Sequence, residues 1–337
     1  MKVLFVSEHC CSRVIKEGMA LIKAGVEVVF MQQRVTNPNF VSMLPSQITY
    51  ENPSQLADKI TYLRDIDIIH VHNEPDWMGH VCKQFRPDLP LVFDTHDLFS
   101  VRINQRTPDE DKAFEMADAF VHPSKYYLNH CLRWHKIQNK PNIVIYSAVN
   151  SEFVQERSLP RIDALVYQGG LRVPEEGILE EHKYHAYRDY RKVFWWLSEK
   201  NIPVMVFSAN PDALDTYCKT GAFMLPPMEY SCMMRELTRF TWGLAGGPIK
   251  HRQWDAAMPN KLFEYLAAGI PVLAFNASEV EEFVREHEVG IVLDNWRQIP
   301  EVYNEAEKYR KIVQKKKHLF TVENQIDSLI NLYMEIK

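Results

Sequence analysis

The chain of 337 residues is 46% hydrophobic and 25% charged, and its formal net charge is -5 at pH 7. This length and apolar content predict a globular protein of two domains, and the negative balance argues against general nucleic-acid binding. The six cysteines lack zinc-type spacing and do not suggest a disulfide framework, so we expect a reducing, cytoplasmic compartment. We also expect no secretory leader, because the apolar run at 3–6 ends at Ser7, and we find no stretch long enough to span a membrane.

The first half of the chain alternates short apolar runs with helical patterns, which predicts βαβ units around a parallel sheet. The first strand is predicted at 3–7, and Ser12 can cap a helix that ends at Gly25. A further helix is predicted at 123–134. The remaining strands of this half are predicted at 27–31, 67–71, 91–94, 119–122 and 143–146.

A polar, proline-containing stretch at 150–161 interrupts this alternation, and we place a domain boundary there. A second alternating series follows and predicts a second parallel sheet. Helices are predicted at 183–199 and 322–336. The strands of the second sheet are predicted at 164–168, 203–208, 242–245, 271–275 and 290–293.

The strand at 67–71 leads into polar residues that include His72 and Glu74. Ligands bind beyond the carboxyl ends of parallel strands, so these side chains are well placed for a cleft. His70 and His72 point to the same side of a strand and would suit a metal, but no third ligand is evident in the sequence. We prefer a buried His70 that is hydrogen-bonded to backbone, and we predict that His72 lines a pocket.

The strand at 91–94 shows the same pattern, because His96 and Asp97 follow it directly. A neutral His96 ring could donate a hydrogen bond to a sugar hydroxyl, with Asp97 orienting the ring. The alternative is a simple turn in which Asp97 caps the next segment.

Two further short motifs are candidates for ligand binding, one for a diphosphate and one for a metal ion. Gly169 and Gly170 follow the first strand of the second half, where glycines let backbone N–H groups approach a diphosphate and Arg172 could add charge. A Gly-Gly turn alone is common. Asp65 and Asp67 match a metal-binding D-x-D pattern, but they precede a strand, so we treat the match as chance and predict no metal site.

The segment at 258–275 predicts a helix that begins at a ligand and leads into a buried strand. Asn260 supplies a start signal and Gly269 a stop signal. Lys261 and Glu264 share one helical face near the positive end of the helix, which suits a phosphate, and Glu264 could accept two hydroxyl hydrogen bonds such as a ribose offers. The alternative is an amphipathic helix with a solvated Lys–Glu pair, which would contribute little.

This segment resembles the nucleotide-sugar site of glycosyltransferases with the GT-B fold, especially the retaining family-four group, whose block is P-x-K-x-x-E-x-x-A-x-G-x-P-V. The matching positions are Pro259, Lys261, Glu264, Ala267, Gly269, Pro271 and Val272. The string at 67–75 is similar to the D-x-x-H-x-H-x-x-P element of the same family, and 95–97 to its T-x-H-D element. The chain departs from the family at Ala256, where many members have a second glutamate.

The resemblance implies an α/β protein with two Rossmann-like, doubly wound domains that face a central cleft. It implies an acceptor-side domain at 1–155, a nucleotide-sugar domain at 156–318, and a C-terminal helix at 319–337 that returns to the first domain. It also implies transfer of a sugar from a nucleotide diphosphate donor to a hydroxyl acceptor, with retained configuration and without a metal or other cofactor.

The expected roles follow from the same resemblance. The catalytic residues would be His96 and Asp97. The nucleotide-sugar-binding residues would be Gly169, Gly170, Arg172, Asn260, Lys261 and Glu264. The acceptor-side residues would be His72, Glu74 and Arg13. The partners would be a nucleotide sugar and a glycan, lipid-linked or small-molecule acceptor in glycan or polysaccharide biosynthesis.

Three matters stay open in the sequence. The lysines at 315–317 allow peripheral contact with anionic lipid, although a solvated helix face is the simpler interpretation. A GT-B-shaped subunit that binds a nucleotide sugar or a partner without catalysis is one alternative function, which the loss of the glutamate at Ala256 suggests. A sugar-nucleotide epimerase is the other.

Overall fold

The computed structural model describes residues 1–34, 47–173, 187–208 and 214–337. The chain divides into two compact units. The first contains Met1–Asn150 and Val322–Lys337, and the second contains Ser151–Thr321. Among the described residues, no helix is long and apolar enough to cross a membrane.

The first unit is built on a seven-stranded parallel sheet with the strand order β3-β2-β1-β4-β5-β6-β7. Its central strands carry almost only buried residues, as expected for a sheet with both faces covered. The strands are β1 (Lys2–His9), β2 (Glu27–Arg34), β3 (Gln47–Thr49), β4 (Ile68–His72), β5 (Leu91–Asp94), β6 (Ala119–His122) and β7 (Asn142–Val144).

The helices of the first unit bury an apolar stripe against this sheet. Three of them begin at side-chain caps: the side chains of Asn52, Thr107 and Ser124 accept hydrogen bonds from backbone N–H groups of the following turn. The helices are α1 (Ser12–Lys23), α2 (Pro53–Tyr62), α3 (Trp77–Phe85), α4 (Phe99–Ile103), α5 (Pro108–Met116) and α6 (Lys125–Trp134).

The second unit contains a six-stranded parallel sheet with the order β10-β9-β8-β11-β12-β13. The strands are β8 (Ile162–Gln168), β9 (Val204–Phe207), β10 (Phe223–Leu225), β11 (Phe240–Leu244), β12 (Val272–Ala274) and β13 (Gly290–Val292). The helices are α7 (Arg191–Glu199), α8 (Leu214–Cys218), α9 (Tyr230–Leu237), α10 (Arg252–Ala256), α11 (Asn260–Ala267), α12 (Ser278–His287), α13 (Ile299–Val302) and α14 (Ala306–Lys316).

The last helix, α15 (Glu323–Ile336), belongs to the first unit. It buries Leu329, Leu332 and Tyr333 there and contacts α1. The chain enters it through a hydrogen bond from the Val322 N–H to the Val149 carbonyl. The first unit therefore contains both ends of the chain.

The prediction of two doubly wound parallel-sheet domains is confirmed. The strands at the sheet centres were predicted to within a few residues, but β3 and β10 were missed because each has only three residues and lies at a sheet edge. The helix predicted at 183–199 forms α-helix only at Arg191–Glu199, and the part at 183–186 lies outside the described residues. In both sheets the strand order reverses beside the first strand, between β1 and β4 and between β8 and β11, and such switch points are where α/β folds bind ligands.

Candidate functional sites

A buried charge cluster lies at the switch point of the first sheet. Arg13, in the first turn of α1, places its Nη2 atom 2.8 Å from Asp94 Oδ2 at the end of β5 and 3.0 Å from Glu17 Oε1 one turn further along α1. Its Nη1 donates to the Ile145 carbonyl at 2.7 Å. All three side chains are at most 3% exposed, and burial raises the pKa of Glu17 to about 8 although Arg13 opposes the shift. The prediction that Arg13 contacts an acceptor is therefore corrected: Arg13 is a buried cation that joins α1 to β5.

The two histidines of β4 lie beside this cluster. Their rings are stacked, with centroids 4.4 Å apart and planes 8° from parallel. His70 Nδ1 lies 2.5 Å from the Tyr333 hydroxyl, so its partner is a side chain of α15 and not backbone as predicted. His72 is only 1% exposed, with Nδ1 3.6 Å from Asp94 Oδ2, and thus lies inside the unit instead of lining an open pocket. Burial lowers the pKa of both rings, so they are neutral at physiological pH.

The cluster also contains side chains that could bind a metal ion, including ligands that were not evident in the sequence. One potential ligand atom from each of Glu17, His70, His72 and Asp94 lies within 4.8 Å of the others. Imidazole and carboxylate donors suit zinc and related ions. However, Arg13 already provides the cation between the two carboxylates, and a divalent ion there would meet its guanidinium at close range. The donor set therefore fits a metal poorly.

His96 stands at the edge of the cluster, with its side chain 17% exposed. Its Nδ1 lies 3.5 Å from Asp94 Oδ1. Burial disfavours its charge, but interaction with the Asp94 carboxylate and the Cys11 thiol outweighs burial and raises the pKa of His96 well above its usual value. The structure thus favours a charged imidazolium over the neutral ring that was predicted.

Asp97 does not orient His96 as predicted, because Asp94 occupies that position. The Asp97 carboxylate instead binds Arg102, with Nη2 to Oδ1 at 2.5 Å, and its N–H donates to Asn73 Oδ1 at 3.0 Å. Arg102 also pairs with Glu74. Asp97 and Glu74 together line a pocket of about 410 Å³. Its other acidic lining residues are Glu8, Asp76 and Asp109, and its apolar ones include Trp77 and Phe99.

The second unit places Lys261 and Glu264 at the start of α11. Pro259 precedes this helix without a side-chain capping bond, and the positive end of the helix lies beside Lys261. Lys261 is 7% exposed and Glu264 is 2% exposed, which rules out the alternative of a solvated surface pair. The Tyr230 hydroxyl donates to Glu264 Oε1 at 3.1 Å.

Aromatic rings surround the Lys261 ammonium group. Its Nζ lies 3.8 Å from the ring centre of Tyr167, 5.3 Å from that of Trp254 and 5.9 Å from that of Tyr190. Such cation–π contacts stabilise the charge only in part. Burial, reinforced by repulsion from Arg188, lowers the pKa of Lys261 to about 7. An anion at this position would restore full protonation.

The glycine turn after β8 touches this lysine. Gly169 has a φ of +141°, which side chains rarely adopt, and a Cβ atom there would lie 3.2 Å from Lys261 Nζ. A Cβ atom on Gly170 would lie 3.2 Å from the Nη1 atom of Arg188. The predicted cation Arg172 has an exposed side chain, while its backbone N–H donates to the Arg188 carbonyl at 3.2 Å. Arg188 is therefore the second cation of this site, and no motif in the sequence marked it.

A second glycine pair, Gly246 and Gly247, follows β11 on the other side of the switch point. The Tyr190 hydroxyl donates to the Gly246 carbonyl, and Asn276 Nδ2 donates to the Gly247 carbonyl at 3.1 Å. This pair was not predicted, although it repeats the Gly-Gly turn that follows β8.

Two family models match the chain. The model for Glycosyltransferase Family 4 matches residues 19–153. The model for the Glucosyltransferase 3-like, C-terminal domain matches residues 228–325. No curated protein sequence matched the chain.

Solved structures resemble the chain over its whole length at low identity. A glycosyltransferase from Rickettsia africae ESF-5 has a TM-score of 0.72 and 12% identity, covering 99% of this chain and 98% of that one. HepE from Anabaena in complex with UDP has a TM-score of 0.73 and 11% identity, covering 99% of this chain and 100% of that one. Its complex with UDP-glucose has a TM-score of 0.71 and 12% identity, covering 98% of this chain and 99% of that one. Sucrose-phosphate synthase from Thermosynechococcus elongatus has a TM-score of 0.68 and 13% identity, covering 100% of both chains. These structures confirm the GT-B fold.

Proposed function

We propose that the protein transfers a sugar from a nucleoside diphosphate sugar to a hydroxyl acceptor. The observation that carries this proposal is the position of Lys261. It is a desolvated cation at an uncapped helix start, against the Gly169 turn and one helical turn from Glu264. A diphosphate would find the Lys261 ammonium group, the Arg188 guanidinium and the positive end of a helix at this point.

The donor we propose is a uridine diphosphate sugar. HepE, which shares the fold, has been solved with UDP and with UDP-glucose. In this chain Glu264 would accept hydrogen bonds from the ribose hydroxyls, and Tyr230, which already donates to Glu264, would have to share or yield that carboxylate. A thermal-shift panel of nucleotide sugars would identify the sugar.

Leaving-group stabilisation would come from the protein itself. As the glycosidic bond breaks, negative charge grows on the departing diphosphate, and preorganised donors aimed at that charge lower the barrier. Lys261, Arg188 and the positive end of the α11 helix dipole can supply this stabilisation, so we propose that transfer proceeds without a metal ion.

We propose retention of the donor's anomeric configuration. Inversion needs a general base at the acceptor hydroxyl. His96 would have to be neutral for that role, but interaction with the Asp94 carboxylate and the Cys11 thiol outweighs burial and raises the pKa of His96. A charged His96 is better suited to orient the donor sugar or phosphate, with Asp94 as its positioning residue. Proton NMR of the product linkage tests this, and an inverted linkage would make His96 the catalytic base instead.

The acceptor we propose is a neutral or cationic hydroxyl compound. Glu74 and Asp97 line a pocket of about 410 Å³ with three further carboxylates and two aromatic rings, which suits a polyhydroxylated molecule and repels anions. A role in cytoplasmic glycan or polysaccharide assembly is the biological setting we propose.

Thermal-shift measurement over a panel of nucleotide sugars is the first experiment. A ligand at a hundred times its dissociation constant stabilises a protein by about 2.7 kcal/mol, which is readily measured. The stabilisation should be lost in Lys261→Ala and kept in Lys308→Ala, which removes an exposed lysine of α14.

Release of nucleoside diphosphate then separates the functions. Release that accelerates with added hydroxyl acceptors supports transfer. Binding without any release would point to the non-catalytic subunit suggested by Ala256. Interconversion of the free nucleotide sugar without acceptor would point to an epimerase.

A further inference from the structure

A basic pocket of about 530 Å³ lies in the second unit, and neither Lys261 nor the Gly169 turn lines it. One wall is the face of α14 that carries Glu307, Arg310, Lys311, Gln314 and Lys315, which recur every three or four residues. The other wall is the segment before β8, with Glu156, Arg157 and Arg161. Five cations and two carboxylates therefore line one concavity in a chain whose net charge is -5.

The two carboxylates already have partners. Glu307 pairs with Arg161 at 2.8 Å and with Arg310 at 3.8 Å, and Glu156 pairs with Lys317 at 2.5 Å. Arg157, Lys311 and Lys315 form no salt bridge with a residue of the described ranges. The pocket thus presents a positive excess, and a concave surface concentrates the resulting field.

Arg310 gives the pocket a fixed base. Its side chain is only 6% exposed and its Nη2 donates to the Phe240 carbonyl at 2.6 Å and the Thr241 carbonyl at 3.1 Å. Gln314 Nε2 donates to the Gly269 carbonyl at 3.1 Å, so its position on α14 is also fixed. Burial, together with repulsion from Arg161, lowers the pKa of Arg310 to about 10, as expected where cations crowd without enough anions.

The pocket is remote from the nucleotide site proposed above. Arg161 immediately precedes β8 and Arg310 binds carbonyls at the start of β11, so the pocket lies at the amino ends of these parallel strands. Gly169 lies at the carboxyl end of β8. This strand has seven residues, which corresponds to roughly 23 Å. One ligand of ordinary size cannot occupy both places.

We propose that this pocket, formed by Arg157, Arg161, Arg310, Lys311 and Lys315, is a second anion site that binds a phosphate-bearing ligand. Guanidinium groups match phosphate oxygens in a two-pronged geometry, and lysines add unoriented charge. Its volume lies in the range of small-molecule sites. A soluble phosphate ester and the headgroup of an anionic lipid share this chemistry.

The test uses the full chain carrying Lys261→Ala, so that the proposed nucleotide site does not contribute. One arm titrates inorganic diphosphate by calorimetry. The other measures co-sedimentation with vesicles of phosphatidylcholine, with and without phosphatidylglycerol. The pocket variant adds Arg157→Ala and Lys315→Ala. The matched control adds Lys192→Ala and Lys308→Ala, which remove the same charge from exposed positions outside the pocket.

We expect the pocket variant to weaken binding of at least one probe by about tenfold or more, with the control changed far less. Loss confined to diphosphate identifies a soluble ligand, and loss confined to the anionic vesicles identifies a lipid headgroup. The proposal is overturned if neither probe binds, or if the control weakens binding as much as the pocket variant. Because the substituted side chains are exposed, both variants should keep the circular dichroism spectrum of the parent.

Discussion

The two units share one sheet topology but differ in whether the buried cation at the switch point is paired with carboxylates of the protein. In the first unit, Arg13 lies between Glu17 and Asp94, so the buried charges are compensated within the protein. In the second unit, Lys261 is similarly buried but faces aromatic rings, and it forms no salt bridge with a described residue. The charges of the first cluster are paired within the protein, whereas the second site is stabilised when an anion binds beside Lys261.

This difference separates a scaffold from a binding site on the same fold. A compensated cluster holds its neighbours in place, and here it fixes the position and charge of His96 through Asp94. An uncompensated cation is available for differential binding, which is what leaving-group stabilisation requires. Four experiments test this contrast.

The largest effect is expected for Asp94→Ala. It leaves Arg13 buried without its main partner, which costs about 3–5 kcal/mol of unfolding free energy. Burial opposes the charge of Asp94, but Arg13 holds its pKa well below the usual range. The stabilisation is thus fully present above the usual aspartate pKa and is lost as the pH falls toward the lowered value.

Urea denaturation of Asp94→Ala measures this loss, with Asp109→Ala as the control. Asp109 is 51% exposed and pairs with His80, so its removal should cost less than about 1 kcal/mol. Equal stability of the two variants would show that the cluster is not a stabilising ion network.

The next effect is expected for Glu264→Ala, which should lose nucleotide binding while the fold stays intact. Each charge-assisted hydrogen bond to a ribose hydroxyl is worth about 1.5–3 kcal/mol, or roughly ten- to a hundredfold in affinity. Calorimetric titration with UDP measures it, and Glu301→Ala removes an exposed carboxylate of the same unit as the control. Unchanged affinity in Glu264→Ala would remove this residue from the site.

A smaller effect is expected in the proton balance of nucleotide binding. The pKa of Lys261 is lowered to about 7, so at about pH 8 the amine is mostly neutral. A bound diphosphate raises that pKa again, so binding should take up a proton, and the uptake should shrink as the pH falls below 7. Calorimetry in two buffers with different ionisation enthalpies measures the uptake.

Lys261→Arg supplies the matched control for this measurement. Arginine stays charged at every accessible pH, so its complex should form without proton uptake at about pH 8. Equal uptake in the parent and in Lys261→Arg would assign the proton to another group.

Chelation of metal ions is expected to leave the transfer activity unchanged, which is the smallest of the four effects. Activity should survive EDTA because Lys261, Arg188 and the start of α11 supply the positive charge for the diphosphate. An assay with magnesium or manganese added back after chelation checks this. Loss and recovery of activity would contradict the prediction and would return attention to Asp65 and Asp67, and to the donors grouped around Asp94.

The site in the second unit was more predictable than that in the first. Lys261 and Glu264 lie on one helix, where a spacing of three residues fixes their mutual position whatever the surroundings. Gly169 was predicted because a turn after a strand has a local signature. Arg188 was missed because its approach to Gly170 depends on how the chain returns from a distant segment, which no local pattern encodes.

In the first unit the predicted residues lie at strand ends as expected, but their environments differ from the prediction. The sequence placed His72, His96 and Asp97 at strand ends, and the structure does so too. Which carboxylate approaches His96 depends on the chain path after β5: Asp94 turns toward His96, whereas Asp97 turns toward Arg102. The burial of Arg13 likewise depends on contacts of its side chain with Asp94 at the end of β5 and with the Ile145 carbonyl after β7.

By itself, the sequence determined the fold class, the alternation of strands and helices and the helix that carries Lys261, because these follow from periodicity and from contacts within a few residues. Only the tertiary structure decided which buried charges are paired, which histidines are exposed and which arginine reaches the glycine turn. Those outcomes depend on desolvation and on distances between residues far apart in the chain, such as the 81 positions that separate Arg13 from Asp94. Both quantities exist only once the sheets and helices have assembled.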